Sequence, residues 1–182
     1  MPRKYFRKYL PDPEVVRSSR TVARFGRWLQ HPNLWHLNRR SVSGAVAIGL
    51  FSGLVPGPLQ MLTALLLAIP LRKNLPVALI VTLYTNPFTI VPLYLLAYAY
   101  GQFLLPGERA SSVAPFEFDW SDFGASTAAL VDWMVSLGKP LALGLVALAS
   151  TLAAIGYVAV QIGWRIYVVS AWRSRARRRR KA

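Results

Sequence analysis

Three long stretches of this chain carry no charged side chain. Residues 42–71, 74–107 and 140–164 each run 25 residues or more without Asp, Glu, Lys or Arg. About 20 apolar residues in a helix already span the hydrocarbon core of a bilayer. A water-soluble domain of 182 residues would spread its charges over every surface helix, whereas this chain withdraws them to the gaps and the ends. The pattern predicts an all-α integral membrane protein.

The charge that is withdrawn is strongly one-sided. The net charge is +15, with ten Lys/Arg in residues 1–40 and seven more after Ala171 in WRSRARRRRKA. Residues 106–139 differ, with Glu108, Glu117, Asp119, Asp122 and Asp132 set against Arg109 and Lys139. The domain organisation read from these shifts is a basic arm over 1–40, a membrane domain over 41–170 with an acidic loop at 106–139, and an Arg-rich tail over 171–182. There is no cysteine, which excludes disulfides, thiol nucleophiles and Cys-ligated metals. His31 and His36 have no carboxylate near them in sequence, so neither a metal nor any cofactor is expected. No acid, base or nucleophile falls in catalytic spacing within the apolar tracts, so the chain does not read as an enzyme.

Within the arm, EVVRSSRTVARFGRWLQ (14–30) sets Arg17, Arg20, Arg24 and Arg27 on one helical face, opposite Val15, Val22, Phe25 and Leu29. That fits an interfacial helix on anionic lipid, and equally a surface helix packed on its own protein. Ser41 or Ser43 is expected to cap the next helix. It runs over Val42–Val55, breaks at Pro56-Gly57-Pro58 and resumes over Leu59–Leu71. Neither half crosses a bilayer alone. A second apolar unit, Leu75–Leu105, is interrupted at Thr85-Asn86-Pro87-Phe88-Thr89, where Asn86 reads as an N-cap and Pro87 as the first helical residue. Gly57-Pro58 is expected to restart the first unit in the same way. Asp122–Leu137 reads as an amphipathic helix and Leu141–Val169 as the last membrane helix, with Ala149, Ala153 and Gly156 suited to close packing.

Positive charge chooses between two topologies. A kinked span over Val42–Leu71 would put Arg72-Lys73 and the tail outside. A re-entrant hairpin with its tip at Pro56-Gly57-Pro58 returns Arg72-Lys73 to the cytoplasm. Leu75–Leu105 then crosses once, the acidic loop faces outward and both termini are cytoplasmic. The hairpin also gives the broken backbone a reason to exist, because unpaired helix ends at membrane depth persist only in protein or beside a polar cavity.

The segment from Arg39 to about residue 165 resembles a bacterial family catalogued as domain of unknown function 2062. The resemblance rests on AIGLF, the Pro-containing break before Leu59-Gln60, the Arg72-Lys73-Asn74 turn, Asn86-Pro87-Phe88-Thr89 and the Tyr100-Gly101 ending. It implies the bacterial inner membrane and no established reaction.

Two functions fit these residues. The first is a carrier or flippase for an anionic lipid or lipid-linked substrate, using half-helix N-termini as anion sites. Gly57, Pro58, Gln60, Thr63, Thr85, Asn86, Pro87 and Thr89 would line it, and Arg39, Arg40, Arg72 and Lys73 would gather head groups at its mouth. The alternative is a non-catalytic adaptor that holds anionic lipid and a partner protein through its basic ends. The partners expected are membrane lipid with anionic head groups and a second copy of the chain completing the cavity. Nucleic acid is not expected, because cytoplasmic retention already accounts for the Arg-rich tail.

Overall fold

The computed structural model describes residues 31–57, 59–106, 116 and 122–179. The helix expected over 14–30 with the rest of residues 1–30, Pro58, residues 107–115 and 117–121 of the acidic loop and the last three residues lie outside the described residues. Those described form a 3-10 turn Pro32–Leu34 and six helices: α1 Arg39–Gly53, α2 Leu59–Ala68, α3 Leu75–Thr82, α4 Ile90–Leu104, α5 Phe123–Ser136 and α6 Gly138–Arg179. They fall into two compact units, the first holding the described residues up to Thr82 and from Ala153 onward, the second Leu83–Leu152.

Asx residues start three of these helices. Asn38 Oδ1 accepts from Ser41 N at 2.7 Å, Asn74 Oδ1 from Val77 N at 3.0 Å, and Asp122 Oδ1 from Ala125 N at 2.9 Å. This corrects the expected cap of α1. Asn38 holds the extended backbone of an N-cap, with φ −124 and ψ 158, whereas Ser41 and Ser43 already lie inside the helix. Ser41 Oγ instead donates to Asn33 O at 2.8 Å, and Ser43 Oγ to Arg40 O at 3.4 Å.

Regular helix in α2 ends at Ala68, and i→i−4 bonding carries its last turn on to the expected Leu71, with Ile69 N on Leu65 O at 3.2 Å and Leu71 N on Leu67 O at 3.3 Å. Lys73 N bonds Ala68 O at 2.9 Å and Arg72 N bonds Ile69 O at 3.1 Å. This paired closure is a Schellman motif. Its left-handed residue is Arg72, at φ 52, where glycine is usual, at a cost of roughly 1 kcal/mol.

In the first unit, α2 folds back on α1. Ala45 and Ile48 of α1 share one buried cluster with Ala64 and Ala68 of α2 and Leu75 and Ala78 of α3. Were α1 and α2 a single straight helix, Ala45 and Ala68 would stand ~35 Å apart. The chain then returns to its starting end: Lys73 Nζ donates to Arg40 O and Asn74 Nδ2 to His36 O, both at 3.4 Å. From there α3 runs parallel to α1. Lys73 lies beside Gly44, and further along Ala78 and Val81 lie beside Gly49. A Cβ on Gly49 would stand 2.6 Å from Ala78 O, so glycine lets the two backbones meet. The far part of α6 runs the other way along α1, with Gly156 against Leu50 and Gln161 Nε2 donating to Ser43 Oγ at 2.9 Å.

In the second unit, α4 and the start of α6 cross at paired glycines. A Cβ on Gly101 would strike the backbone of Pro140, and one on Gly144 the backbone of Ala97. Tyr100 Oη and Thr151 Oγ1 share a hydrogen bond of 3.3 Å between the same two helices. Trp133 of α5 is buried against the Phe116 ring, with centroids 5.7 Å apart.

Large apolar side chains also cover the outer faces. Leu59, Leu62 and Leu66 stay exposed on α2, and Ile155, Val158, Ile162 and Ile166 on α6. Among the described residues α6 is the one helix long and apolar enough to cross a membrane. It extends the expected Leu141–Val169 by three residues at its start, after the left-handed turn at Gly138, and by ten at its end into the basic tail.

Candidate functional site

The residues expected to bind substrate divide between the two units. Gly57, Gln60 and Thr63 belong to the first, and Thr85, Asn86, Pro87 and Thr89 to the second. Pro58 lies outside the described residues.

At the first break, α1 ends at Gly53, and Val55 N closes onto Ser52 O at 3.0 Å. Gly57 takes φ +62 at an exposed tip where an added Cβ would meet nothing. Its cost to a side chain there is therefore conformational, not steric. Gln60 N bonds Gly57 O at 3.3 Å and opens α2. Thr63 Oγ1 turns back onto Leu59 O at 2.8 Å, a common way for a helical threonine to satisfy its hydroxyl. The first unit also holds a polar atom that sequence reasoning does not single out. Ser52 is fully buried, and among the described residues its Oγ is the buried side-chain atom with no hydrogen-bond partner.

The second break is closed by its own side chains. Asn86 Oδ1 accepts from Phe88 N at 3.0 Å and Thr89 N at 3.1 Å. Thr89 Oγ1 answers by accepting from Asn86 N at 3.0 Å and donating to Tyr84 O at 2.7 Å. This reciprocal exchange is a capping box with threonine in the place of the usual Glu or Gln. Ile90 N bonds Asn86 O at 2.9 Å, but α4 itself starts at Ile90 with Thr89 as its N-cap, three residues later than the start expected at Pro87, because Asn86–Thr89 closes as a turn of its own. Thr85 is buried and Pro87 half-buried.

The four basic residues expected at the mouth gather at one end of the first unit. Arg39, Arg40 and Arg72 are exposed. The Lys73 stem crosses Gly44, whose added Cβ would sit 2.6 Å from Lys73 Cδ, and its ammonium reaches Arg40 O. Arg165 joins them, because it lies one turn past Gln161, which bonds Ser43. Asn74, fully buried, pins this end by capping α3 and bonding His36 O. The sequence held its signal, an Asn one residue before Leu75-Pro76 at a helix start. Among the described residues no group of three His, Cys, Asp or Glu could hold a metal ion.

The family model for an uncharacterised protein conserved in bacteria, DUF2062, matches residues 22–173. Neither the curated proteins nor the solved structures gave a match. The match covers most of the chain and extends past the stretch 39–165 at both ends. The protein belongs to the DUF2062 family.

Proposed function

We propose that this DUF2062 protein is a carrier or flippase of the bacterial inner membrane for an anionic lipid or lipid-linked substrate, built on a hairpin that enters and leaves on the cytoplasmic side. The observation that carries this reading is the return of Lys73 and Asn74 to Arg40 and His36. It brings both ends of the hairpin together beneath one set of cations, and leaves the Gly57 tip at the far end of a ~22 Å arm. An arm of that length stops inside a ~30 Å hydrocarbon core. The exposed leucines of α2 and the apolar length of α6 support a lipid environment, because contiguous apolar surface of this extent is rare on a soluble monomer.

The chemistry follows from helix ends. The N-terminus of α2 at Leu59 presents backbone N–H groups and the positive end of a dipole, which attract a phosphate. Gln60 stands in that first turn. Arg39, Arg40, Arg72 and Lys73 collect head groups at the cytoplasmic mouth, and Arg can grip phosphate oxygens with two donors at once. Asn86 and Thr89 have their oxygens engaged in their own turn, so we assign them to holding the second break open, with Thr85 and Pro87 as its frame. A second copy of the chain would complete the cavity.

The test is translocation of a fluorescent phosphatidylglycerol in vesicles carrying the purified protein, followed by dithionite quenching from outside. The carrier reading requires protein-dependent loss of the protected signal, faster than for phosphatidylcholine and slowed by the double substitution Arg72→Gln, Lys73→Gln. Vesicles that move neither lipid would sink it. The adaptor reading, which the exposed basic end also favours, would then lead. It requires that deleting residues 173–182 release the protein from a partner while leaving the fold intact.

A further inference from the structure

Among the described residues, the buried polar side-chain atom left over by the fold is the hydroxyl of Ser52. Buried hydroxyls are nearly always paired, because leaving one unpaired costs the desolvation of the group. In helices a serine ordinarily satisfies itself on the carbonyl one turn back. Ser150 does so onto Val146 O at 2.7 Å in this chain. Ser52, with no exposed surface, does not.

Its position in the first unit gives this orphan a surrounding. Ala45, Ile48, Gly49 and Ser52 are all buried and follow one another at helical spacing along α1. Gly49 is where that face meets Ala78 and Val81 of α3, and helical rise carries Ser52, three residues further along the same face, about 4.5 Å toward the C-terminal end of α3. Because α1 and α3 run parallel from that contact, the same rise brings their C-terminal ends, Gly53 and Thr82, within about a turn of one another in height. Each helix C-terminus carries the equivalent of roughly half a negative charge. Two of them together match one positive charge. A backbone carbonyl has two lone pairs, so one that already accepts an N–H retains capacity for a cation.

We propose that the paired C-terminal ends of α1 and α3 form an alkali-cation site with Ser52 Oγ as its side-chain ligand. Hydroxyl and carbonyl oxygens are the ligands that hard cations take, and unwound helix ends use them for coupling ions in carriers. The apolar tracts contain no carboxylate. That removes the group a proton relay would need and the charge a divalent ion would need, and leaves a monovalent cation as the ligand that fits. The site deepens the carrier reading and rests on it for its purpose, since α1 ends and α2 begins at the same break. A bound cation would there stand close to the N-terminus that attracts the anionic head group.

The experiment is thermal unfolding of the purified full chain in detergent, in NaCl, KCl and choline chloride at equal ionic strength. A saturable rise in midpoint with sodium or potassium, absent in choline, is the expected result, and the effective salt identifies the cation. Ser52→Ala should weaken the apparent cation affinity roughly tenfold or more, the scale of one lost ligand. Ser52→Thr, which keeps the hydroxyl, should retain the response. In choline alone Ser52→Ala should unfold no earlier than the natural protein. A midpoint indifferent to the cation, or a Ser52→Ala protein that responds as the natural one does, overturns the site. The readout does not depend on transport. A Ser52-dependent cation shift in a protein that moves no lipid keeps the site and ends the carrier reading. Lipid movement by a protein with no cation shift does the reverse.

Discussion

The two breaks in the apolar tracts look alike in sequence and are built differently. Both interrupt a helix with proline and restart it within a few residues. The one at Asn86-Pro87-Phe88-Thr89 spends its polar side chains on its own backbone, with Asn86 and Thr89 exchanging bonds across four residues. The one at Pro56-Gly57 turns on a left-handed glycine, and the helix leading into it ends with a buried hydroxyl that bonds nothing else among the described residues. A turn that satisfies itself is architecture. A buried polar atom that the fold does not satisfy has capacity left for a ligand, and that points to the first break as the place where binding energy is available.

Substitutions can break or sharpen this contrast. The largest effect should come from Asn86→Ala combined with Thr89→Val, which removes both halves of the capping box. A loss of about 2 kcal/mol is expected, at the upper end for a helix cap, measured by reversible unfolding in mixed micelles. A loss near zero would mean the turn is held by something other than those two side chains. Next is Gly57→Ala, which forces a side chain into the left-handed region and should cost roughly 1 kcal/mol, with no steric penalty added. Arg72→Gly should move the other way, gaining roughly 0.5–1 kcal/mol by relieving the same strain. If that variant is less stable, Arg72 makes an interaction worth more than its backbone costs. The smallest effect belongs to Ser52→Ala in choline, where stability should stay close to that of the natural protein, because no protein hydrogen bond is lost. A clear destabilisation there would erase the difference between the breaks.

The sequence makes some of this plain and hides the rest for physical reasons. Asn86 before proline reads directly as a break, since both residues have strong local preferences at turns and helix starts. The helix begins only at Ile90 with Thr89 as its N-cap, because Asn86 spends its side chain on the turn that precedes it. The start of the first helix misleads, because serine and asparagine cap almost equally well. Only the extended backbone at Asn38 decides between that residue and the two serines a turn later. The charge of Arg72-Lys73 marks the end of α2, but its left-handed turn is not legible, because that position holds Arg72 where the rule looks for glycine. The reversal at Pro56-Gly57 is visible in the charge pattern, which places Arg72-Lys73 with Arg39-Arg40. That α3 runs parallel to α1 is not visible, because it depends on Gly49 letting two backbones touch. For that reason Ser52, one serine in an apolar run, carries no signal until its neighbours are known.

The hairpin itself is the claim on which the site and its chemistry stand. The chain has no native cysteine, so single cysteines at the exposed positions Arg40 and Arg72 can be labelled cleanly with a membrane-impermeant thiol reagent. The account predicts that both Arg40→Cys and Arg72→Cys react in inverted vesicles and neither reacts in intact spheroplasts. Labelling of the two from opposite sides would mean that α1 and α2 span the bilayer, and would contradict it.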